Sequence, residues 1–452
     1  MRPIQYIQTV AIMSAALLTF KMAHAQDSIW SLNRCIAHAH AHNLKIDGKL
    51  LDERRATLQA ELSKWALLPN VSLNSNYGRS YGRSINPTTN EFENRSYGYA
   101  GLNGSASVLL FGWFQKRSTI TKNVLLKQAT SQDLRQLQND ISLNVATAYL
   151  RSLLTQEQVR ISLEKLNLSA SQVGYTKQLL AAGRSNGQDM AQVQTQLRQD
   201  SSGYFKAVLD YQLSVVDLKA ILNISFADAF GLAPFTKELS LDNLYLDPEQ
   251  VYVVAERNSG KLHSSIINQK AASITLKIAR ANLLPQLSIS GFTGSNYSSS
   301  FFQYLPGGAT ERMPWGKQLV NNIAYSFSLN LNIPLFNGLT GRYAVKQAQL
   351  EYQSTRIQDE EIKVQLKNDV YKTCLEARTA FQTFQAAKSS EDFAQTAYEF
   401  AAQRYEKGLI PAMDLLIAQN QASNAAAEVS ATKYDLLFKL LLIDYYLGKS
   451  NW

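Results

Sequence analysis

From Ile323 to Ile333 apolar and polar residues alternate without a fault. Ile323, Tyr325, Phe327, Leu329, Leu331 and Ile333 fall on one side, and Ala324, Ser326, Ser328, Asn330 and Asn332 on the other. A period of two is that of an extended chain with one apolar face, so this segment is a predicted β-strand. Ala100, Leu102, Ala106, Val108 and Leu110 alternate in the same way with Asn103, Ser105 and Ser107, and shorter alternations follow Pro69 and Pro285. The chain therefore offers four strands in two pairs, about 69–110 and about 285–334. Alternation alone suits the core of a soluble sandwich as well as a membrane barrel. The polar positions carry Ser, Asn and Gly rather than Lys and Glu, which suits a water-filled interior, and Tyr77, Tyr97, Tyr99, Phe292, Tyr297 and Tyr325 lie toward the strand ends, where aromatic girdles would sit. The stretches Arg83 to Arg95 and Ser298 to Lys317 read as exposed loops. About eight strands are the usual minimum for a closed barrel, and lipid does not tolerate an open strand edge, so a membrane reading requires several copies of the chain. Three copies would give about twelve strands, although strand count alone also allows a dimer.

The period changes after each strand pair. From Trp113 to Ala182 there is no proline and a single interior glycine, Gly174, and Leu134, Leu137, Ile141, Val145 and Ala148 step by threes and fours. Leu339 to Lys407 matches it, with Leu350, Ile357, Val364 and Tyr371 at intervals of seven. Each stretch predicts a helix of roughly 70 residues, or about 105 Å, with a seam for helix-on-helix packing. Each ends at a glycine, Gly183 or Gly408, after which Asp189 to Leu222 and Pro411 to Leu447 predict returning helices. Ser28 to Trp65 and Pro248 to Asn282 predict further helices that could make up the remaining length.

These elements come twice. Leu67-Leu68-Pro69-Asn70-Val71-Ser72-Leu73 returns as Leu283-Leu284-Pro285-Gln286-Leu287-Ser288-Ile289, and Gly183 with Asp189 returns as Gly408 with Asp414. The division that follows is a leader at 1–25, a first repeat at 26–223 with its helical hairpin at 113–222, a connector at 224–247, and a second repeat at 248–452 with its hairpin at 339–447.

The N-terminus sets the compartment. Arg2, the apolar run Val10 to Phe20 and Ala23-His24-Ala25 before Gln26 have the form of a secretory leader with its cleavage site. Cys35 lies inside the mature chain, so no N-terminal lipid anchor is expected, and Cys35 and Cys374 are read as free buried thiols. The formal charge of +9 includes Arg2 and Lys21 of the leader, and the remaining basic residues are scattered among acids, which argues against a nucleic-acid partner. No nucleophile motif, phosphate loop or paired catalytic carboxylate stands out, so no enzyme and no cofactor are expected. His38, His40 and His42 are the nearest approach to a metal cluster, with His38 and His42 one helical turn apart, but a third ligand is lacking and no metal is assigned. The reading from another class is an elongated periplasmic coiled-coil rod or adhesin without a pore.

Trp30-Ser31-Leu32, Cys35-Ile36-Ala37 and His42-Asn43-Leu44, together with Arg404-Tyr405-Glu406-Lys407-Gly408, Asp414-Leu415-Leu416 and Ala418-Gln419, resemble the TolC-like outer-membrane efflux family. Gln178 to Gln194 is a looser copy of the second motif. The resemblance implies an α+β membrane protein. Four strands per chain would contribute to a trimeric, 12-stranded outer-membrane β-barrel, continuous with a long α-helical coiled-coil barrel in the periplasm. It implies a homotrimer in outer-membrane lipid that meets a periplasmic adaptor protein and, through it, an inner-membrane pump, in efflux or type I secretion. The family's adaptor contacts carry over onto Ala182, Gly183, Arg184, Lys407, Gly408 and Leu409, with Arg184 standing where an apolar flank is commoner. Asp414 matches a ring of carboxylates at the periplasmic constriction, although an acid in a first helical turn is also stabilised by the helix dipole. Asp189 follows Asn186 by three, a capping arrangement that favours a structural role over a gating one.

Overall fold

The computed structural model describes residues 29–86, 88–235 and 244–449. The leader at 1–25 and residues 236–243 of the connector lie outside the described residues. Strand β1 (Ile29–Trp30) precedes helices α1 (Leu32–His42) and α2 (Leu44–Trp65). Strand β2 (Asn70–Ser80), a short hairpin of β3 (Arg83–Ile85) and β4 (Phe92–Asn94), and strand β5 (Tyr97–Phe111) lead into α3 (Gln115–Ala181) and α4 (Gly187–Leu222). After β6 (Gly231–Leu232) come α5 (Pro248–Asn258) and α6 (Gly260–Ala281). Strand β7 (Gln286–Ser298), the hairpin of β8 (Phe302–Tyr304) and β9 (Thr310–Arg312), helix α7 (Trp315–Asn321) and strand β10 (Ala324–Asn332) then precede α8 (Thr340–Glu406) and α9 (Ala412–Tyr446). Helices α3 and α8 each have 67 residues, about 100 Å at the standard rise.

The chain divides into two compact units, one made of the stretch ending at Leu51, Gln132–His263 and the stretch from Glu361 on, the other of Asp52–Ser131 and Ser264–Glu360. The second unit holds a four-stranded antiparallel sheet in the order β10-β7-β5-β2. Paired residues share a face, so the register sorts the side chains. One face carries rows such as Asn70, Ser107, Ser290, Ser328 and Asn74, Asn103, Gly294, Ala324, with Ser72 and Ser105 hydroxyls 2.8 Å apart and Ser290 and Ser328 likewise. The other face carries Val71, Ala106, Phe327 and, further along, Tyr77, Ala100, Tyr297. Phe292 departs from the girdle expected of it, because its row is Ser72, Ser105, Ser326 and it stands on the polar face. Gly294 makes room there, since a Cβ on it would lie 2.8 Å from the Phe292 ring. A shift of register between Leu109 and Phe111 ends the alternation that Leu110 was expected to continue.

The two stretches expected as loops are more ordered than their composition suggests. They carry the β3–β4 and β8–β9 hairpins and α7, held by side chains rather than by an apolar pattern. Gln318 is fully buried, and its amide donates to Ser298 O (3.0 Å) and Met313 O (2.8 Å) while its carbonyl accepts from Ser298 N (2.9 Å). The Thr88 hydroxyl accepts from Phe302 N at 2.8 Å. At both strand-to-helix corners two consecutive residues adopt left-handed backbone, Trp113 and Phe114 (φ 50° and 61°) and Gly338 and Leu339 (φ 63° and 65°). Trp113 is fixed by its indole N–H, which donates to Pro285 O at 2.9 Å.

In the first unit the seam of α3 is buried. Leu134, Ile141, Val145, Tyr149 and Leu153 pack with Leu32, Cys35, Leu218, Leu222 and Leu441. The stretches 28–65 and 248–282, expected to supply further helices, each hold two helices divided by a side-chain cap. At the first break Asn43 Oδ1 accepts from Lys45 N (3.0 Å) and its amide donates to Ile221 O (2.9 Å); at the second Ser259 Oγ accepts from Leu262 N (3.2 Å). The edges of the connector are tied to the long helices by different groups. The Tyr149 hydroxyl lies 3.0 Å from Trp30 O and 2.6 Å from Ala233 O, beside the parallel β1–β6 pair, whereas Arg378 donates through Nε and Nη2 to Leu244 O and Leu246 O, both at 3.0 Å.

Cys35 and Cys374 are buried in separate apolar clusters and unpaired. Burial pushes the Cys35 thiol up to about 12 and raises that of Cys374, so both stay protonated through neutral and mildly alkaline pH. A thiol-reactive maleimide at pH 8 is expected to leave the folded protein unlabelled and to modify both cysteines after unfolding in guanidinium, read by intact mass; labelling of the native chain at Cys35 would contradict this packing.

Candidate functional site at the glycine turns

Helices α3 and α8 end in the same local geometry. Arg184 N donates to Leu179 O (2.8 Å) and Gly183 N to Leu180 O (3.1 Å); Leu409 N donates to Arg404 O (2.9 Å) and Gly408 N to Tyr405 O (2.8 Å). These are Schellman caps, which need a left-handed residue just past the helix, and Gly183 and Gly408 supply it with φ of 71° and 69°. The returning helices begin differently. Asn186 caps α4 by accepting from Asp189 N at 2.9 Å, whereas α9 is entered through Pro411 with no side-chain cap.

The fold brings the two turns together. A Cβ on Gly408 would lie 3.7 Å from the Arg184 guanidinium, so Arg184 reaches over the second turn. Just behind them the Tyr175 hydroxyl donates to Glu406 O (3.1 Å), the Thr176 and Tyr405 hydroxyls are 2.9 Å apart, and Leu179, Val193, Ala412, Leu415 and Leu416 form an apolar plug. Ala182, Gly183, Arg184, Lys407, Gly408 and Leu409 are all exposed. With Arg184, Arg404 and Lys407 around them and Glu406 as the single acid between Arg404 and Leu409, the surface they make is basic.

Asp414 sits exposed in the first turn of α9, with its backbone N–H bonded to Pro411 O at 3.2 Å. Asp189 is half-buried, and its carboxylate accepts from the Ser185 hydroxyl at 3.2 Å, so it is engaged within its own turn. Sequence reasoning did not anticipate the polar cluster one step behind the plug. Asp200 is buried with Lys165 (3.2 Å) and Gln196 (2.9 Å), and the Ser169 hydroxyl also donates to it; Gln419 reaches Ser169 at 3.2 Å, which joins α9 to the first hairpin. An acid on the otherwise helix-packing face of α4 was the available signal.

The sequence model of the outer membrane efflux protein family matches residues 36–223 and 251–449, so the chain belongs to that family, and its place is the outer membrane. The outer membrane protein TolC of Vibrio cholerae is 23% identical over 442 residues, covering 96% of this chain and 94% of that one. The alkaline protease secretion protein AprF of Pseudomonas aeruginosa is 22% identical over 394 residues, 86% of this chain and 78% of its own. Among solved structures, the outer membrane protein VceC of Vibrio cholerae superposes with a TM-score of 0.77 at 16% identity (92% and 96% of the two chains), and the CmeC outer membrane channel of Campylobacter jejuni with 0.77 at 18% (93% and 86%).

The turn geometry sets the sign of two substitutions. Gly408→Ala forces a left-handed alanine and is expected to cost about 1–2 kcal/mol locally. Gly174→Ala, in the interior of α3 with open space around its Cα, is expected to gain about 0.5–1 kcal/mol. Thermal unfolding of the two variants in detergent should shift in opposite directions, and a shared direction would count against the caps as described.

Proposed function

We propose that three copies of this chain close one 12-stranded barrel and form the outer-membrane channel of a tripartite efflux or type I secretion system. The observation that carries this is the sheet of the second unit. Its outer strands β2 and β10 have no partner on one side, and β10 is exposed along its whole length, with Tyr325 at 76%, Phe327 at 84% and Leu331 at 63%. Long apolar edges of this kind invite pairing. Because the four strands alternate in direction, β2 of one copy and β10 of the next meet antiparallel, as a closed barrel needs. The apolar face would meet lipid and the Ser/Asn face would line the lumen. Aromatic residues gather at both ends of the sheet, Tyr77, Tyr297 and Tyr325 at one and Phe111, Trp113 and Phe114 at the other, with Phe111 and Trp113 rings 5.3 Å apart.

The helices support the same assembly. The α8 seam leaves Leu350, Ile357 and Val364, spaced by seven, exposed at 58%, 61% and 68%, and α4 exposes Phe205, Leu209 and Leu213 at intervals of four, so each chain carries regularly spaced apolar positions that its own fold does not cover. We read these as the seams between neighbouring copies in a helical tunnel that reaches into the periplasm. The two similar halves would then place six hairpins around it. The paired glycine turns, Ala182 to Arg184 and Lys407 to Leu409, are the proposed contact for a periplasmic adaptor protein, which joins an inner-membrane pump, and their basic character favours an acidic partner surface. Asp414 is the proposed periplasmic selectivity residue; Asp189 keeps a structural part through its cap. A rod without a pore has no use for a sheet with one polar and one apolar face.

Purification from the membrane fraction is expected to give a heat-sensitive trimer with single-channel conductance in planar bilayers; a soluble monomer or a non-conducting dimer would end the barrel reading. Ile357→Glu should weaken the trimer on native gels while leaving the helix content by circular dichroism unchanged. Asp414→Ala should lower the preference for cations, measured as a shift of reversal potential in a salt gradient, and an unchanged potential would remove Asp414 from the conduction path.

A further inference from the structure

The three histidines of α1 are not used by the reading above, and they are not equivalent. His40 turns to α3, where its Nε2 lies 2.8 Å from Ser142 Oγ and 3.2 Å from Gln138 O. His38 and His42 face away from it, one turn apart. Their ring centres are 4.4 Å apart with the planes inclined by 39°, and among the described residues no hydrogen bond reaches a ring nitrogen of either. His42 is exposed and His38 half-buried. Trp30 stands edge-on to His38 at 5.1 Å, with the Arg34 guanidinium 4.4 Å above the indole.

We infer that His38 and His42 form an exchangeable site for a borderline divalent transition-metal ion, held by two imidazole nitrogens and completed by water. The spacing carries the inference. An ion about 2.0–2.1 Å from a coordinating imidazole nitrogen is roughly 3.2 Å from the ring centre, and two such rings at a right angle about the ion have centres about 4.5 Å apart. The observed separation matches that of two cis ligands, so the rings need only swivel about their side-chain bonds to present both nitrogens. Two histidines at i and i+4 on one helix face are a recurrent half of a metal site for this reason. No group of three or more His, Cys, Asp or Glu side chains suited to a metal is present among the described residues, so solvent fills the remaining positions. An open site of this kind exchanges its ion, unlike the closed four-ligand sites that hold folds together. Imidazole pairs take Cu2+ most strongly among the first-row divalent ions, which makes it the probe of choice. The ion would bridge the last full turn of α1 close to the β1–β6 pair.

The edge-on indole gives the test a local reporter. Cu2+ added to the detergent-purified full chain in a non-chelating buffer is expected to quench the Trp30 share of the fluorescence, taken as the difference from Trp30→Phe, saturably at one ion per chain. His42→Ala should weaken this by at least about tenfold, the lower end of the loss seen even when an outer-shell partner is removed. His40→Ala should leave it unchanged. Electron paramagnetic resonance of the bound ion should show two coordinated nitrogens. Quenching that is absent, or unchanged in His42→Ala, or abolished by His40→Ala with the helix content intact, would overturn the site.

Discussion

A strand edge exposes a row of N–H and C=O groups, and hydrocarbon offers nothing to bond them. On the proposed function this constraint governs the chain. The sheet has two such edges, at β2 and β10, and neither has a further partner strand among the described residues. In the proposed barrel the copies would have to pair before the membrane part is stable, and that need would account for the absence of charge along β10, the exposed apolar positions on α8, and helices long enough to add a second contact between copies. No described helix is long and apolar enough to cross a membrane. In the proposed assembly the strands would carry that burden.

The sequence displayed the parts of this fold that rest on periodicity. Strands β5, β7 and β10 were visible because apolar and polar residues alternate along them, most strictly in β10, and α3 and α8 because nothing interrupts them between Trp113 and Ala182 or between Leu339 and Lys407. What periodicity cannot report stayed hidden. The breaks at Asn43 and Ser259 each depend on a single polar side chain that caps the following helix, and both residue types are common inside helices. The ordered inter-strand segments depend on Gln318 and Thr88, whose partners lie far away in sequence or on the backbone. Phe292 looked like its aromatic neighbours until pairing fixed its row.

The candidate site was legible in position and less so in organisation. Gly183 and Gly408 announced the turns because only glycine is at ease past a Schellman cap, and the spacing to Asp189 and Asp414 marked the returning helices. That the two turns lie side by side, with Arg184 over Gly408 and the Tyr175, Thr176 and Tyr405 hydroxyls behind them, follows from contacts more than two hundred residues apart. A buried ionic cluster at Asp200 was equally invisible, since an isolated acid on a helix reads as solvated until its neighbours are known.

The two connector ties, Tyr149 in one half and Arg378 in the other, set the two similar halves apart. Both hold backbone carbonyls against a long helix, but one does so with a neutral phenol buried deep enough that its pKa is raised, the other with a permanent cation that bonds two carbonyls in a fork. The two similar halves use solutions that cannot be interchanged one residue at a time, because phenol and guanidinium differ in reach, charge and number of donors. In a ring of such chains the two kinds of tie would alternate around the axis. The proposed ring would then be threefold in its chemistry even where its backbone approaches sixfold order, and that broken equivalence would give a partner protein two distinguishable surfaces to choose between.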